Sequence, residues 1–135
     1  MEVTYNKVTR IVWIKGKEKT YNLRLTINGL QELEAKAFDG LSYFDFQQTH
    51  RSLPMGTILT AFGIMLRDGK DKEAKNPAKV VEDIALQEGP QGLEMAFYTT
   101  LAVSGILGPK ASNKILKEMG VKSEDPEPEE EPKNE

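Results

Sequence analysis

Between Leu93 and Leu107 the chain is apolar nearly all the way round a helix, and this stretch limits the folds open to it more than any other. At about 100° per residue, Ala96, Val103, Leu107, Leu93, Phe97 and Leu101 cover one broad face. Met95, Tyr98, Ala102 and Ile106 lie opposite. A helix apolar on both sides either runs through the centre of a core or shares one side with a partner. Both readings stay open here. On the second, Met95, Tyr98, Ala102 and Ile106 are the candidate partner-binding residues, covered by a client or by another copy of the chain. The stretch is shorter than the roughly 20 residues that span a bilayer, and Glu94, Thr99, Thr100, Ser104 and Gly105 interrupt it. No membrane segment is expected.

A core must assemble around this helix from the rest of 135 residues, a length suited to one domain. Tyr21, Leu23, Leu25 and Ile27 alternate with Asn22, Arg24 and Thr26, the signature of a strand with one buried face. Thr9 to Ile14 is rich in β-branched and aromatic residues. The charged turn Lys15-Gly16-Lys17-Glu18-Lys19 joins the two into an antiparallel hairpin. A helix follows, with Asn28 as its cap, Gln31 at capping-box spacing, Leu30, Leu33 and Ala37 on one face, and Asp39-Gly40 at its end. Tyr43, Phe44 and Phe46 suggest a short helix running into His50. Ile58, Ala61, Phe62, Met65 and Leu66 form an apolar stripe that Asp68-Gly69 closes. Pro77 opens another helix, with Val80, Val81, Ile84 and Ala85 inward and Glu82 and Asp83 outward, and Gly89-Pro90 breaks it. Pro109 starts a last helix, with Ile115, Leu116 and Met119 on one side and Gly120 as its C-terminal cap.

The expected fold class is therefore α+β: an N-terminal antiparallel β-hairpin packed on a bundle of about five short helices. A hairpin alone is marginal, so its Tyr21, Leu23 and Leu25 face should lie on the helices.

Charge divides the chain at its end. From Ser123 to Glu135 there are seven acids and one base, Lys133, a net −6, so the preceding 122 residues carry +3 of the overall −3. The same segment holds Pro126, Pro128 and Pro132 and no other apolar residue. Such a composition does not offset its ordering entropy by burial. Residues 1–122 are read as one hairpin-plus-helices domain and 123–135 as a disordered, Pro/Glu-rich acidic tail, either solubilising or a tether or mimic of an acidic ligand.

Chemistry is sparse. There is no Cys, which removes disulfides, thiolate metal sites and a Cys nucleophile. The single His, His50, has no partner for nucleophilic catalysis, and Ser52 is not spaced to face it as a nucleophile. Glu32/Glu34 and Glu82/Asp83 do not converge on a helix face and read as solvated. Gly16-Lys17 lacks the glycine of a phosphate loop and sits in a hairpin turn. Gly105-Ile106-Leu107-Gly108 has the GxxG form of a nucleic-acid clamp, but its two central residues are apolar, so a helix-to-helix turn is expected. Lys70, Lys72, Lys75 and Lys79 alternate with Asp71 and Glu73 as a solvated loop. No catalytic, cofactor or metal site and no nucleic acid is expected. The polar N-terminus from Met1 to Arg10 carries no targeting signal, which suits the cytoplasm.

The run from Thr20 to Glu34, polar–Tyr–x–Leu–Arg–Leu–Thr–x–x–x–Leu–x–x–Leu–Glu, resembles a strand-to-helix junction of the tail assembly chaperones of long-tailed phages and related gene-transfer-agent proteins. The order of hairpin, helix, small helical bundle and Pro/Glu tail is similar over roughly residues 8 to 120. The resemblance implies a non-enzymatic role in the host cytoplasm: binding the tape-measure protein, keeping it soluble, and helping to recruit tail-tube subunits. Alternatives are a structural virion component, such as a tail-completion or connector subunit, and a small nucleic-acid-binding regulator. A homo-oligomer is compatible with each.

Overall fold

A computed structural model describes residues 2–123. The expected tail therefore lies, apart from Ser123, outside the described residues. The fold is α+β, with a small sheet on one side of a helical layer. The elements in order are β1 (Val3–Tyr5), β2 (Val12–Lys15), β3 (Thr20–Leu23), α1 (Ile27–Ala37), α2 (Tyr43–Thr49), α3 (Met55–Asp68), α4 (Pro77–Ser104), α5 (Pro109–Met119) and β4 (Lys122–Ser123).

The hairpin of β2 and β3 is present, and it is part of a larger sheet of order β3-β2-β1-β4. β1 pairs antiparallel with β2, and β4 pairs parallel with β1, Thr4 opposite Lys122 and Tyr5 opposite Ser123. Register places Val3, Ile14 and Tyr21 in one row and Tyr5, Val12 and Leu23 in the next. Except for the half-buried Tyr5, these side chains are buried and belong to the core with the helices.

The strands are shorter than the alternation predicts. Asn6 to Ile11 form a turn in which the Asn6 Oδ1 accepts from the N–H groups of Val8 (2.8 Å) and Thr9 (2.9 Å). The backbone of Asn6 also bonds Ile11 and Arg10. β2 consequently starts at Val12, not Thr9. β3 stops at Leu23 because the Arg24 N–H donates to the Met65 carbonyl of α3 (3.0 Å). The helix cap is Thr26, not Asn28: its Oγ1 accepts from the Gly29 N–H at 3.0 Å. Ile27, expected on the buried face of a strand, opens α1 and is 66% exposed.

The helical expectations hold more closely. The stripe of α3 is buried as expected, and Tyr43 and Phe46 of α2 enter the core while Phe44 stays exposed. α4 breaks at Gly89, whose φ of 77° and ψ of −178° suit glycine.

One correction concerns Asp83. It does not point into water but is only 7% exposed. Its carboxylate accepts from the Tyr21 hydroxyl (2.6 Å), the Glu18 N–H (2.9 Å) and the Lys19 N–H (3.2 Å). This binds the β2–β3 turn to α4. A Cβ on Gly16 would lie 2.5 Å from the Asp83 Oδ2, so the turn needs glycine there for close approach. Burial pushes the Asp83 pKa up, but the Tyr21 and backbone hydrogen bonds outweigh it and hold the group below its ordinary value. Burial first, then Asp83, drives the Tyr21 phenol well above its own.

The loop after α3 is also less solvated than its composition predicts. Its lysines are exposed, but the Asp71 Oδ2 accepts from the Asn22 N–H at 2.7 Å and so occupies the free edge of β3. Lys19 and Glu73 pair at 2.8 Å.

Candidate partner-binding surface

The second arm of α4, residues 90–104, positions the residues singled out by the sequence. Leu93, Ala96, Phe97 and Leu101 are fully buried, and so are Thr99 and Thr100. The Thr100 hydroxyl donates to the Ala96 carbonyl at 2.8 Å, which lets a polar side chain sit in the core. This arm is central to the fold.

Its opposite side is not one surface. Met95 and Tyr98 are half-buried, Ala102 is 1% exposed and lines a cleft with α5, and Ile106 lies beyond the helix. The helix ends at Ser104 because Gly105 takes φ 81°, so Ile106 belongs to the turn before α5. The structure keeps Met95 and Tyr98 together and separates Ala102 and Ile106 from them.

Tyr98 sits among aromatics that reach from the core to solvent. Its ring meets Phe97 edge-on at 5.2 Å, and Phe97 meets Phe38 at 6.5 Å. Burial and then Glu94 raise the Tyr98 pKa. Tyr43 is pushed up to about 12, by burial first and by Tyr98 second, and its ring lies 6.5 Å from that of Phe38. Tyr43 in turn contacts Phe44 at 5.4 Å, and Phe44 is 58% exposed. Leu41, just before α2, is exposed as well. The Glu94 carboxylate accepts from the Leu53 N–H at 3.0 Å and fixes the chain between α2 and α3 against α4. The sequence reading did not assign Phe44 to a surface; its place between two buried neighbours of α2, Tyr43 and Phe46, is the signal that could have done so.

The end of α4 is held from the sheet. Arg10, with a left-handed φ of 63°, donates from Nη1 to the Ser104 carbonyl at 2.6 Å, closing the helix C-terminus with a cation. Arg10 borders two clefts. One, of about 320 Å³, runs past Arg24, Ile27 and Ile106. The other, of about 330 Å³, lies between the β1–β2 turn and α5 and is lined by Tyr5, Lys7, Ala102, Ser112 and Leu116 among others. The expected helix-to-helix turn is present at Gly105 to Gly108, where the Gly108 N–H bonds the Gly105 carbonyl at 3.1 Å.

His50 stacks on Phe46 at 3.9 Å, and its Nδ1 lies 2.8 Å from the Thr49 hydroxyl and 3.1 Å from the Phe46 carbonyl. Among the described residues, no group of three or more His, Asp or Glu side chains is placed to hold a metal ion, and no helix is long and apolar enough to cross a membrane. The arrangement offers apolar and aromatic contact area, with the Glu34 and Glu94 carboxylates beside it. In comparisons with known proteins, the chain matches no family model, no curated protein and no solved structure.

Proposed function

We propose that this protein is a non-enzymatic tail assembly chaperone, which binds a tape-measure protein in the host cytoplasm, keeps it soluble, and helps recruit tail-tube subunits. The observation that carries this reading is the aromatic run from buried Phe97 through Phe38 and Tyr43 to exposed Phe44, with half-buried Tyr98 edge-on to Phe97 and with Met95 and Leu41 near it in the chain. A long, largely helical client needs an apolar surface that adapts to it. Tyr supplies contact area with a hydroxyl that tolerates water, and Met supplies adaptable packing. The strand-to-helix run from Thr20 to Glu34, which resembles that of tail assembly chaperones, supports the same reading.

Co-expression with a tape-measure protein and a tail-tube protein tests it. The wild-type chain is expected to hold the tape-measure protein in the soluble fraction. Phe44→Asp, at an exposed position, is expected to keep the fold and lose the client. A folded variant that still solubilises the client would remove this surface from the proposal. Mass spectrometry of purified particles distinguishes the chaperone, which is absent from them, from a structural virion component, which stays. Salt-dependent retardation of DNA would favour the nucleic-acid-binding regulator instead.

A further inference from the structure

The cleft between the β1–β2 turn and α5 combines several features that favour an anion. Arg10 and Lys7 stand on its sheet side. On its helix side lies the start of α5, where Gly108 makes no side-chain cap and the first turn holds no acid. The N–H groups of such a turn attract negative charge. Ser112, 6% exposed, also lines the cleft, and its buried hydroxyl has no hydrogen-bond partner among the described residues. A buried hydroxyl without a partner is costly, and a group that met it would remove that cost.

The last described strand ends beside this place. β4 runs parallel to β1 and puts Ser123 opposite Tyr5, and Tyr5 lines the cleft. The next residues are Glu124, Asp125, Glu127, Glu129, Glu130 and Glu131. Beyond Tyr5, β1 leads into Asn6, Lys7 and the turn that carries Arg10, so β4, parallel to β1, runs at Ser123 in the direction of the basic side of the cleft. At about 3.3 Å per extended residue, a few residues cross a cleft of this size. Charge is complementary: the segment from Ser123 on carries −6 and the remainder +3.

We propose that the acidic segment 124–135 folds back onto this cleft within its own chain, its carboxylates meeting Arg10, Lys7, the first turn of α5 and the Ser112 hydroxyl. The segment is then a built-in occupant that an acidic partner would have to displace, and the cleft is an acidic-peptide site.

The test uses the full chain in two forms: the wild type, and a variant in which Glu124→Gln, Asp125→Asn, Glu127→Gln, Glu129→Gln, Glu130→Gln and Glu131→Gln remove most of the segment's negative charge. Backbone amide NMR spectra are compared at low and high salt. The expected result is a set of shift differences between the two proteins at Arg10, Gly105, Ser112 and Asn113. They should shrink toward zero at high salt, where screening is strong, and stay constant over a dilution series. A synthetic peptide of residues 124–135, added to the neutralised variant, should move the same amides toward their wild-type positions. Differences confined to residues next to the substitutions would overturn the proposal. So would differences that vanish on dilution, since they would place the segment on another copy.

Discussion

The two ends of the sheet are fastened in different ways. At the β3 end, carboxylates from α3, α4 and the loop between them meet the sheet and the chain after it directly: Asp83 holds the β2–β3 turn, Asp71 takes the Asn22 N–H, and Asp68 accepts from the Thr26 hydroxyl at 2.9 Å. At the β1 end, a two-residue strand and the Arg10 bond to Ser104 link the sheet to the end of the helical layer. The first end meets most of its polar groups internally, the buried Arg24 Nε just past β3 being an exception. The second keeps a cleft with an unpartnered hydroxyl beside two cations. Hydrogen bonds that are closed within the fold add stability, whereas groups left open are available to a ligand.

The largest expected effect breaks the β3 end. Asp83→Ala leaves the Tyr21 hydroxyl and two backbone N–H groups without their acceptor, and is expected to cost about 3 kcal/mol or more in a urea titration. A loss below about 1 kcal/mol would remove the contrast between the two ends.

Acid sharpens the same point. Because the folded-state pKa of Asp83 is depressed, its contribution is complete above about pH 3.9, the ordinary aspartate value, and disappears as pH falls through the lower folded-state value. The stability of Asp83→Asn should therefore lie below that of the wild type near neutrality and converge on it in strong acid. Parallel curves for the two proteins across the acid range would contradict this.

At the β1 end the effects are smaller. Arg10→Ala loses a cation and hydrogen bond at the end of α4 but keeps the left-handed backbone, at an expected cost of about 1–2 kcal/mol. Arg10→Gly loses the same bond and relieves the backbone, so it should be the more stable of the two by about 1 kcal/mol. Equal stabilities by denaturation would show that the backbone strain is not borne at this residue. Smallest of all, Lys15→Ala removes an exposed pair with Glu2 at 3.5 Å and should change stability by no more than about 0.5 kcal/mol.

What the sequence made legible follows the range of the interactions. The apolar stripe of α3, the break at Gly89 and the cap at Gly120 depend on neighbours within a turn or two, and periodicity or glycine marks them. β1 and β4 are too short to show alternation, and each exists because the other chain segments reach it. Asp83 looks like its neighbour Glu82 until the turn at Glu18, 65 residues earlier, arrives beside it. Of the candidate surface, Met95 and Tyr98 were legible as a pair on one helix. Ile106 falls on the same side only if the helical period is carried past Gly105, and nothing local reports that Ala102 shares a cleft with α5.

The parallel pairing of β1 with β4 also bears on the order in which the protein can be made. Synthesis proceeds from the N-terminus at about 5–20 residues per second, so β1 and its partner β2 leave the ribosome long before Lys122 and Ser123 exist. For that interval the outer edge of β1 has no neighbour from its own chain. Completion of the sheet is thus a late event of translation, and a nascent chain stalled before residue 122 presents an open strand to whatever lies nearby.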